Sequence, residues 1–513
     1  MGRPTRSETP RILIVGSGFS GICLGIRLKQ AGIHSFTILE KEEQLGGTWR
    51  DNAYPGAACD VPSFSYCFSF HQKVDWSRKW APQDEILDYM TECARTHGLL
   101  PHIRFGVEVA EAAFDGKSAT WTVRSTDGKR WTAELLVSAV GQLNRPHHPS
   151  FPGLEQFAGT WFHSARWRHD HDLAGRRVAV VGTAASAVQI VPRIAPAVRR
   201  LHVFQRSPNW MLPKNDRAYT ELEKALFRRV PGLARLYRWT IWARHEVGFP
   251  AFRGNRLLSR WATRRVMDHL QEQVPDPALR QALIPSYPVG AKRILLSDDY
   301  YPALQHDNVR LVTAPIERVE PDAVVTADGS RHQVDTIIFA TGFESTSFLV
   351  PMRIVGTTGE SIHEVWRDGA EAYLGMTVAG FPNFFMMYGP NTNLGHNSII
   401  FMIECQARYI VDCTRRMIRD GLASLEVRRG AMEAFNARLR AELDRTVWAD
   451  ATSSWYKTPS GRITNNWSGT TIEYWWRTRR AALRDYHCVK ASADRGRSSA
   501  FPSRRDRRSS TGA

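Results

Sequence analysis

Two short apolar runs, each leading into a glycine-rich turn, constrain this chain more than any other feature. Ile12 to Val15 leads into Gly16, Gly18 and Gly21, and Arg177 to Val181 leads into Gly182, Ala184 and Ala187. A short run of branched apolar residues bounded by turn residues reads as a strand buried on both faces of a parallel sheet. A parallel strand needs a crossover, and the helix-like segments that follow, the first running on to Gln30, supply it. Strand, turn and helix, twice in one chain, predict an α/β protein with two doubly wound, dinucleotide-binding (Rossmann-like) folds.

In the first turn one glycine makes the turn, one lets the backbone approach a pyrophosphate, and one lets helix and strand pack closely. The pyrophosphate then sits on the positive end of the helix. A second strand, Phe36 to Leu39, ends at Glu40, which lies 19 residues after Gly21, where a ribose 2′-hydroxyl partner belongs. An acid there favours FAD or NAD over NADP. The block from Gly46 to Asp60, which holds Gly47, Thr48, Trp49, Tyr54, Pro55 and Gly56, is rich in Gly and Pro and is expected to be a loop. Its aromatic and carboxylate positions suit the cover of a flat ring. A structural Ω-loop around a packed Trp49 suits them equally.

The second turn is degenerate. Ala187 at the third glycine position is an allowed variant, whereas the Ala184 methyl sits where backbone should approach phosphate. The strand Leu201 to Phe204 then leads to Arg206, which stands 19 residues after Ala187, where the first site has its acid. A cation there accommodates a 2′-phosphate, so the site reads as NADPH. A surface arginine after a strand is the alternative.

With these residues in view, the chain resembles the type I Baeyer–Villiger monooxygenases, which are class B flavoprotein monooxygenases, over roughly residues 10–480. The first motif that carries the resemblance is Gly47, Trp49, Tyr54, Pro55, Gly56 and Asp60. The second is the linker Phe157, Gly159, His163 and Trp167, which lies between the two fingerprints. The third is Phe339 to Phe343, where the chain is expected to return to the FAD domain. Arg168 departs from the Pro or Asp usual after the linker Trp, and Ala184 departs from glycine.

The resemblance implies FAD and NADPH as cofactors. FAD would be held through Gly16, Gly18, Gly21, Glu40, Gly47, Thr48, Trp49 and Asp60. NADPH would be held through Gly182, Thr183, Ala184, Ser186, Ala187, Arg206, Ser207 and Lys292. It also implies the reaction: one oxygen atom of O2 is inserted next to a ketone carbonyl, by way of a C4a-peroxyflavin, to give an ester or lactone. Arg293 matches the catalytic arginine that stabilises developing negative charge, and Asp60 the carboxylate that pairs with it and orients the nicotinamide. Lys292 matches a contact to the 2′-phosphate. A fixed cation suits a peroxide anion in a dry pocket, and arginine keeps its charge when buried. His163 is expected to link domain motion to catalysis without passing protons. Trp455 matches a pocket-lining loop, and Asn391 to Ser398 a segment beside the flavin ring.

Three readings stand. The first is a Baeyer–Villiger monooxygenase acting on a ketone. The second is a flavin-containing N- or S-monooxygenase, for which a thioether is a substrate and no buried arginine is needed. The third, motivated by Ala184, is an FAD-binding protein with a degenerate NADPH site.

Composition narrows the setting. Of 513 residues, 43% are hydrophobic and 23% charged, an ordinary globular balance. No apolar run approaches the roughly 20 residues that cross a bilayer, and residues 1–10 hold no signal-peptide core. Seven dispersed cysteines, without a C-x-x-C, predict a cytoplasmic protein with no metal site, and argue against dithiol reductases. The net charge of +17 falls partly in the Ser/Arg-rich tail and partly in a segment with eleven arginines from Arg217 to Arg265. No nucleic-acid fold motif accompanies it. That segment has helical spacing, and domain packing is its main reading, with peripheral contact to an anionic membrane as the alternative.

The expected organisation is a flexible N-terminus at 1–10, an FAD domain at 11–150 and 343–487, and an NADP domain at 151–216 and 289–342. A helical insertion at 217–288 and a disordered basic tail at 488–513 complete it.

Overall fold

The computed structural model describes residues 9–451 and 454–491. Ten strands form two five-stranded parallel sheets. In chain order they are β1 (Ile12–Val15), β2 (Phe36–Leu39), β3 (Ile103–Arg104), β4 (Leu135–Ser138), β5 (Thr160–His163), β6 (Arg177–Val181), β7 (Arg200–Phe204), β8 (Val309–Val312), β9 (Thr336–Phe339) and β10 (Phe384–Met386). The first sheet has the order β10-β4-β1-β2-β3 and the second β8-β7-β6-β9-β5. Central strands β1, β4, β6 and β9 are almost wholly apolar, because helices or loops cover both faces. Burying each Ile, Leu or Val there contributes about 1.5–3 kcal/mol.

The first sheet is finished only by β10, after the chain has built the whole second sheet. The two crossing segments run together: Pro146 bridges Phe343, and the Thr341 hydroxyl donates to the His147 carbonyl at 2.5 Å. Each sheet also carries an antiparallel meander, Val109 to Ala133 on the first and Ile316 to Gln333 on the second.

The labelled helices are α1 (Phe19–Gln30), α2 (Ala185–Ile194), α3 (Glu221–Arg229), α4 (Leu233–Gly248), α5 (Arg256–Gln273), α6 (Pro277–Ala282), α7 (Ile399–Asp420) and α8 (Thr471–Thr478). Helix α1 follows β1 and packs along α7, while α2 follows β6. Helices α3 and α4 and the first part of α5 occupy the arginine-rich segment, and α6 follows it. None of the described helices is long and apolar enough to cross a membrane.

Two expectations are corrected. The Gly46–Asp60 block contains a helical turn, Thr48–Asp51, entered through Gly47 at φ 53°. The tail does not begin at Cys488: a strand from Tyr486 to Lys490 pairs antiparallel with Leu422–Val427, so backbone hydrogen bonds order that stretch. Residues 1–8 and 492–513, and with them most of the N-terminal and tail expectations, lie outside the described residues.

Candidate active site

The two fingerprints have the same backbone construction. Gly16 takes φ 102° and Gly182 φ 111°, a region that disfavours a side chain. A Cβ on Gly16 would lie 2.8 Å from the Ala139 carbonyl oxygen, and one on Gly182 2.5 Å from that of Ala340. Next come the residues that cap the helices. Gly18 has φ −75° and ψ −169°, and Ala184 has φ −87° and ψ −164°. Neither needs glycine on conformational grounds, so Ala184 introduces a methyl without strain. At the third position the sites differ: a Cβ on Gly21 would collide with the Gly16 carbonyl, whereas Ala187 is accommodated and fully buried.

This construction fits a dinucleotide. A Cβ on Gly18 would meet only the Gly47 Cα, at 4.0 Å, so the space the missing side chain leaves is open to a ligand. Neither α1 nor α2 has a side-chain cap or an acid in its first turn, which leaves backbone N–H groups available to an anion. Glu40 is buried at the end of β2. One of its oxygens accepts from the Ser17 amide at 2.8 Å and the Ser17 hydroxyl at 2.7 Å, and the other from Arg50 at 3.2 Å. The carboxylate is thereby fixed beside the glycine turn. Trp49 donates to the Tyr66 hydroxyl at 3.1 Å and meets its ring edge-on, while Thr48 opens the short helix beside Gly47.

At the second site, Arg206 follows β7 and is exposed. Lys292 lies close enough that burial first, and the Arg206 charge second, press its ammonium below the ordinary lysine value. Two cations held this near each other, with Lys292 only 4.5 Å over the Tyr287 ring, suit a dianionic phosphate. The Thr183 hydroxyl donates to the Ser207 carbonyl at 3.2 Å, tying the turn to the segment that carries Arg206. Ser186 lies at the Tyr54 hydroxyl.

Arg293 and Asp60 are brought together across 233 residues of sequence. Arg293 Nε and Nη2 lie 2.7 Å and 2.6 Å from the same Asp60 oxygen, and the side chains keep 28% and 32% of their surface open. The carboxylate holds the guanidinium above its ordinary value, outweighing the opposing effect of burial. Tyr388 and Tyr456 flank this pair, and burial pushes the Tyr456 hydroxyl up to about 12. Tyr456 is fully buried and its hydroxyl has no hydrogen-bond partner, an orphan polar group that a bound molecule would satisfy.

Sequence reasoning chose Trp455 for the C-terminal loop, but it is the adjacent Tyr456 that interacts with Arg293 and Asp60. Trp455 is half-buried, and its carbonyl accepts from Ser345 at 2.6 Å. No local pattern distinguishes the two aromatic residues. Within the 391–398 segment, Asn391 donates to the Ile463 and Asn466 carbonyls, which fixes it against the chain before α8.

Gln189 on α2 was also missed. Its amide accepts from the Tyr54 hydroxyl at 2.9 Å and donates to the Ala58 carbonyl at 2.9 Å, so the helix of the second fingerprint holds the loop that carries Asp60. Gly56 makes this approach possible: at φ 84°, a Cβ would lie 2.7 Å from the Gln189 carbonyl.

The linker residues lie where the chain crosses between sheets. Phe157 is buried, and Gly159 leaves no room for a side chain beside the Phe157 ring and the Asp335 carbonyl. His163 Nδ1 accepts from the Ala165 amide at 3.1 Å, so the proton is on Nε2, which donates to the Gly342 carbonyl at 3.0 Å. Burial lowers its pKa to about 4, and the ring is neutral. Trp167 packs edge-on against Phe162, and Arg168 turns outward to Asp170. No cluster of metal-ligating side chains occurs among the described residues. Burial raises the Cys59 thiol well above its ordinary value, so the sulfur is not a nucleophile.

Comparison with known proteins gives one consistent picture. The profile of the flavin-binding monooxygenase-like family matches residues 9–417. A Baeyer–Villiger monooxygenase of Streptomyces coelicolor is 43% identical over 485 residues, covering 94% of this chain and 93% of that protein. One from Pseudomonas aeruginosa is 41% identical over 486 residues, covering 94% and 92%. Among solved structures, OTEMO in complex with FAD and NADP has a TM-score of 0.84 at 28% identity, covering 94% of this chain and 100% of that one. Cyclohexanone monooxygenase in its closed form has a TM-score of 0.84 at 27% identity, with the same coverage.

Proposed function

The chain belongs to the flavin-binding monooxygenase-like family and, within it, to the Baeyer–Villiger monooxygenases, and we propose that Arg293 and Asp60 are the pair on which its chemistry turns. It is an FAD- and NADPH-dependent enzyme that inserts one atom of O2 next to a ketone carbonyl. When bound, the reduced flavin supplies activated oxygen, and the nicotinamide supplies the hydride.

The observation that carries the assignment is the single Asp60 oxygen bonded by both Arg293 Nε and Nη2. With Asp60 occupying one edge of the guanidinium, the remaining N–H groups are left to stabilise developing negative charge, as a fixed cation does. Asp60 sets the orientation of that cation, and Gln189 sets the loop bearing Asp60. Tyr456 is positioned to donate to a substrate or cofactor oxygen, since nothing in the protein accepts its proton. Arg206 and Lys292 bind the 2′-phosphate that separates NADPH from NADH. His163, neutral and doubly bonded, serves as a structural tie between the linker and the returning chain.

The substrate is a small-molecule ketone, with a thioether as the alternative. The free cysteines fit a reducing cytoplasm. An N- or S-monooxygenase would have no use for the Asp60–Arg293 pair. The degenerate-site reading is weakened, since Ala184 has the backbone of Gly18 and adds only its methyl.

The test is product analysis by mass spectrometry. The enzyme, with FAD and NADPH in air, is given cyclic, linear and aryl ketones and one thioether. An ester or lactone one oxygen heavier than its ketone supports the proposal; sulfoxide alone, across a broad ketone panel, favours the N- or S-oxygenase.

A further inference from the structure

Among the described residues, the large apolar side chains left in water are not scattered. Of fifteen, eight lie between Leu222 and Trp261, and three more on α8. Helix α4 has two apolar faces. Its inner face, with Ala234, Tyr237 and Ile241, packs against the core. Its outer face carries Leu236, Trp239 and Val247, which are 62%, 60% and 72% exposed and recur at the spacing of one helical stripe.

Helix α8 repeats the arrangement. Ile472, Trp475, Trp476 and Arg479 stand at i, i+3, i+4 and i+7, and all three apolar members are exposed. The two helices are joined at their cores. Trp242 Nε1 donates to the Thr471 hydroxyl at 3.0 Å, and that hydroxyl donates to Glu246 at 2.8 Å. The two helices are thereby tied to each other through part-buried polar groups.

Charge on this surface is mainly positive, its one acid on α8, Glu473, being half-buried and paired with Arg477 at 2.8 Å. Arg235 and Arg244 border the α4 stripe, and neither has a carboxylate within 4.0 Å among the described residues. Arg479 lies 3.5 Å over the Trp476 ring, and Arg408 lies 5.9 Å over Trp475. Arginine and tryptophan on an otherwise apolar helix face form the pattern of a segment lying in a membrane interface: indole rings sit at headgroup depth and guanidinium groups meet lipid phosphate.

We propose that the outer faces of α4 and α8 form a docking surface for an anionic phospholipid bilayer, with Trp239, Trp475 and Trp476 entering the headgroup region. Charge complementarity selects the bilayer over a second copy of this chain, which would set arginine against arginine. The proposal does not rest on the oxygenase reading, because it is tested without turnover.

The experiment is sedimentation of the full-length holoprotein with vesicles of phosphatidylcholine containing phosphatidylglycerol, and with phosphatidylcholine alone. Binding is expected to the first only, to weaken with salt, and to be accompanied by quenching of tryptophan fluorescence when the lipid chains are brominated. Trp239→Ser with Trp476→Ser should weaken binding about tenfold or more, with flavin content and melting temperature retained. No sedimentation with the anionic vesicles overturns the proposal. So does unchanged binding by the double variant, or loss of binding on removing residues 492–513 alone, which assigns it to the basic tail. If the variant does not fold, absence of quenching in the wild type decides against insertion. A dimer dispersed by the same substitutions would mean that a second copy is the occupant.

Discussion

The guanidinium of Arg293 meets one oxygen of Asp60 through two nitrogens, at 2.7 Å and 2.6 Å, leaving the other carboxylate oxygen free for a different partner. The pair therefore fixes the direction of a positive charge without consuming all of the carboxylate. Arg293→Ala should leave reduction of the flavin by NADPH largely intact and lower ester formation by at least about a hundredfold, the usual cost of deleting a group aimed at developing charge. Stopped-flow reduction and product yield separate the two steps. Survival of ester formation would show that Arg293 has another role.

Arg206 and Lys292 act on each other electrostatically beside the second fingerprint. Arg206→Ala should raise the KM for NADPH about tenfold, equivalent to about 1.4 kcal/mol, and leave that for NADH nearly unchanged. An unaltered NADPH preference would remove Arg206 from the 2′-phosphate site.

Ala184 begins α2 with the dihedral angles that Gly18 uses to begin α1. Ala184→Gly therefore relieves only the methyl. Glycine is also the better N-cap, so thermal stability should be unchanged or slightly raised. The KM for NADPH should fall a few-fold; a rise would mean that the methyl contributes a contact.

Gln189 makes two good hydrogen bonds to the loop bearing Asp60. Gln189→Ala should cost about 1–3 kcal/mol, because the Ala58 carbonyl loses its donor. It should also slow hydride transfer while FAD content is retained. Denaturant melts and the rate of flavin bleaching test this. Normal reduction in a destabilised variant would make the contact purely structural.

His163 has a pKa of about 4 in the folded protein, against 6.5 for an unhindered histidine. The unfolded chain takes up the proton first as pH falls. The stabilisation is therefore complete above about pH 6.5, is lost between there and pH 4, and amounts to on the order of 3 kcal/mol. His202 and His245 are lowered to about 4 and titrate in the same window. His163→Gln should flatten this acid limb in melting curves taken across it. An unchanged slope would assign the limb to the other histidines that burial lowers, His202 and His245 foremost.

The strands, turns and helix starts of both nucleotide folds were legible in the chain, because they depend on local rules. Branched apolar runs need burial, and Gly16 and Gly182 take a φ that other residues disfavour. The opposite charges of Glu40 and Arg206 were legible for the same reason: their place follows from counting along a strand, a turn and a helix. Tyr456 was not, since choosing it over Trp455 depends on which of two adjacent aromatic residues the loop buries. Gln189 was not, since its helix looked complete without a partner loop. The tail boundary failed because the strand through Cys488 is stabilised by Leu422–Val427, more than sixty residues earlier.

By itself, then, the sequence determined the class of fold and the two turns built for dinucleotides, because backbone sterics and strand burial act over a few residues. Only the tertiary structure decided that Asp60 and Arg293 share a hydrogen bond, that Gln189 grips the Asp60 loop, and that the apolar faces of α4 and α8 are left uncovered. These contacts join segments far apart in the chain. Their existence depends on how the second sheet sits against the first, and no short-range pattern encodes that placement.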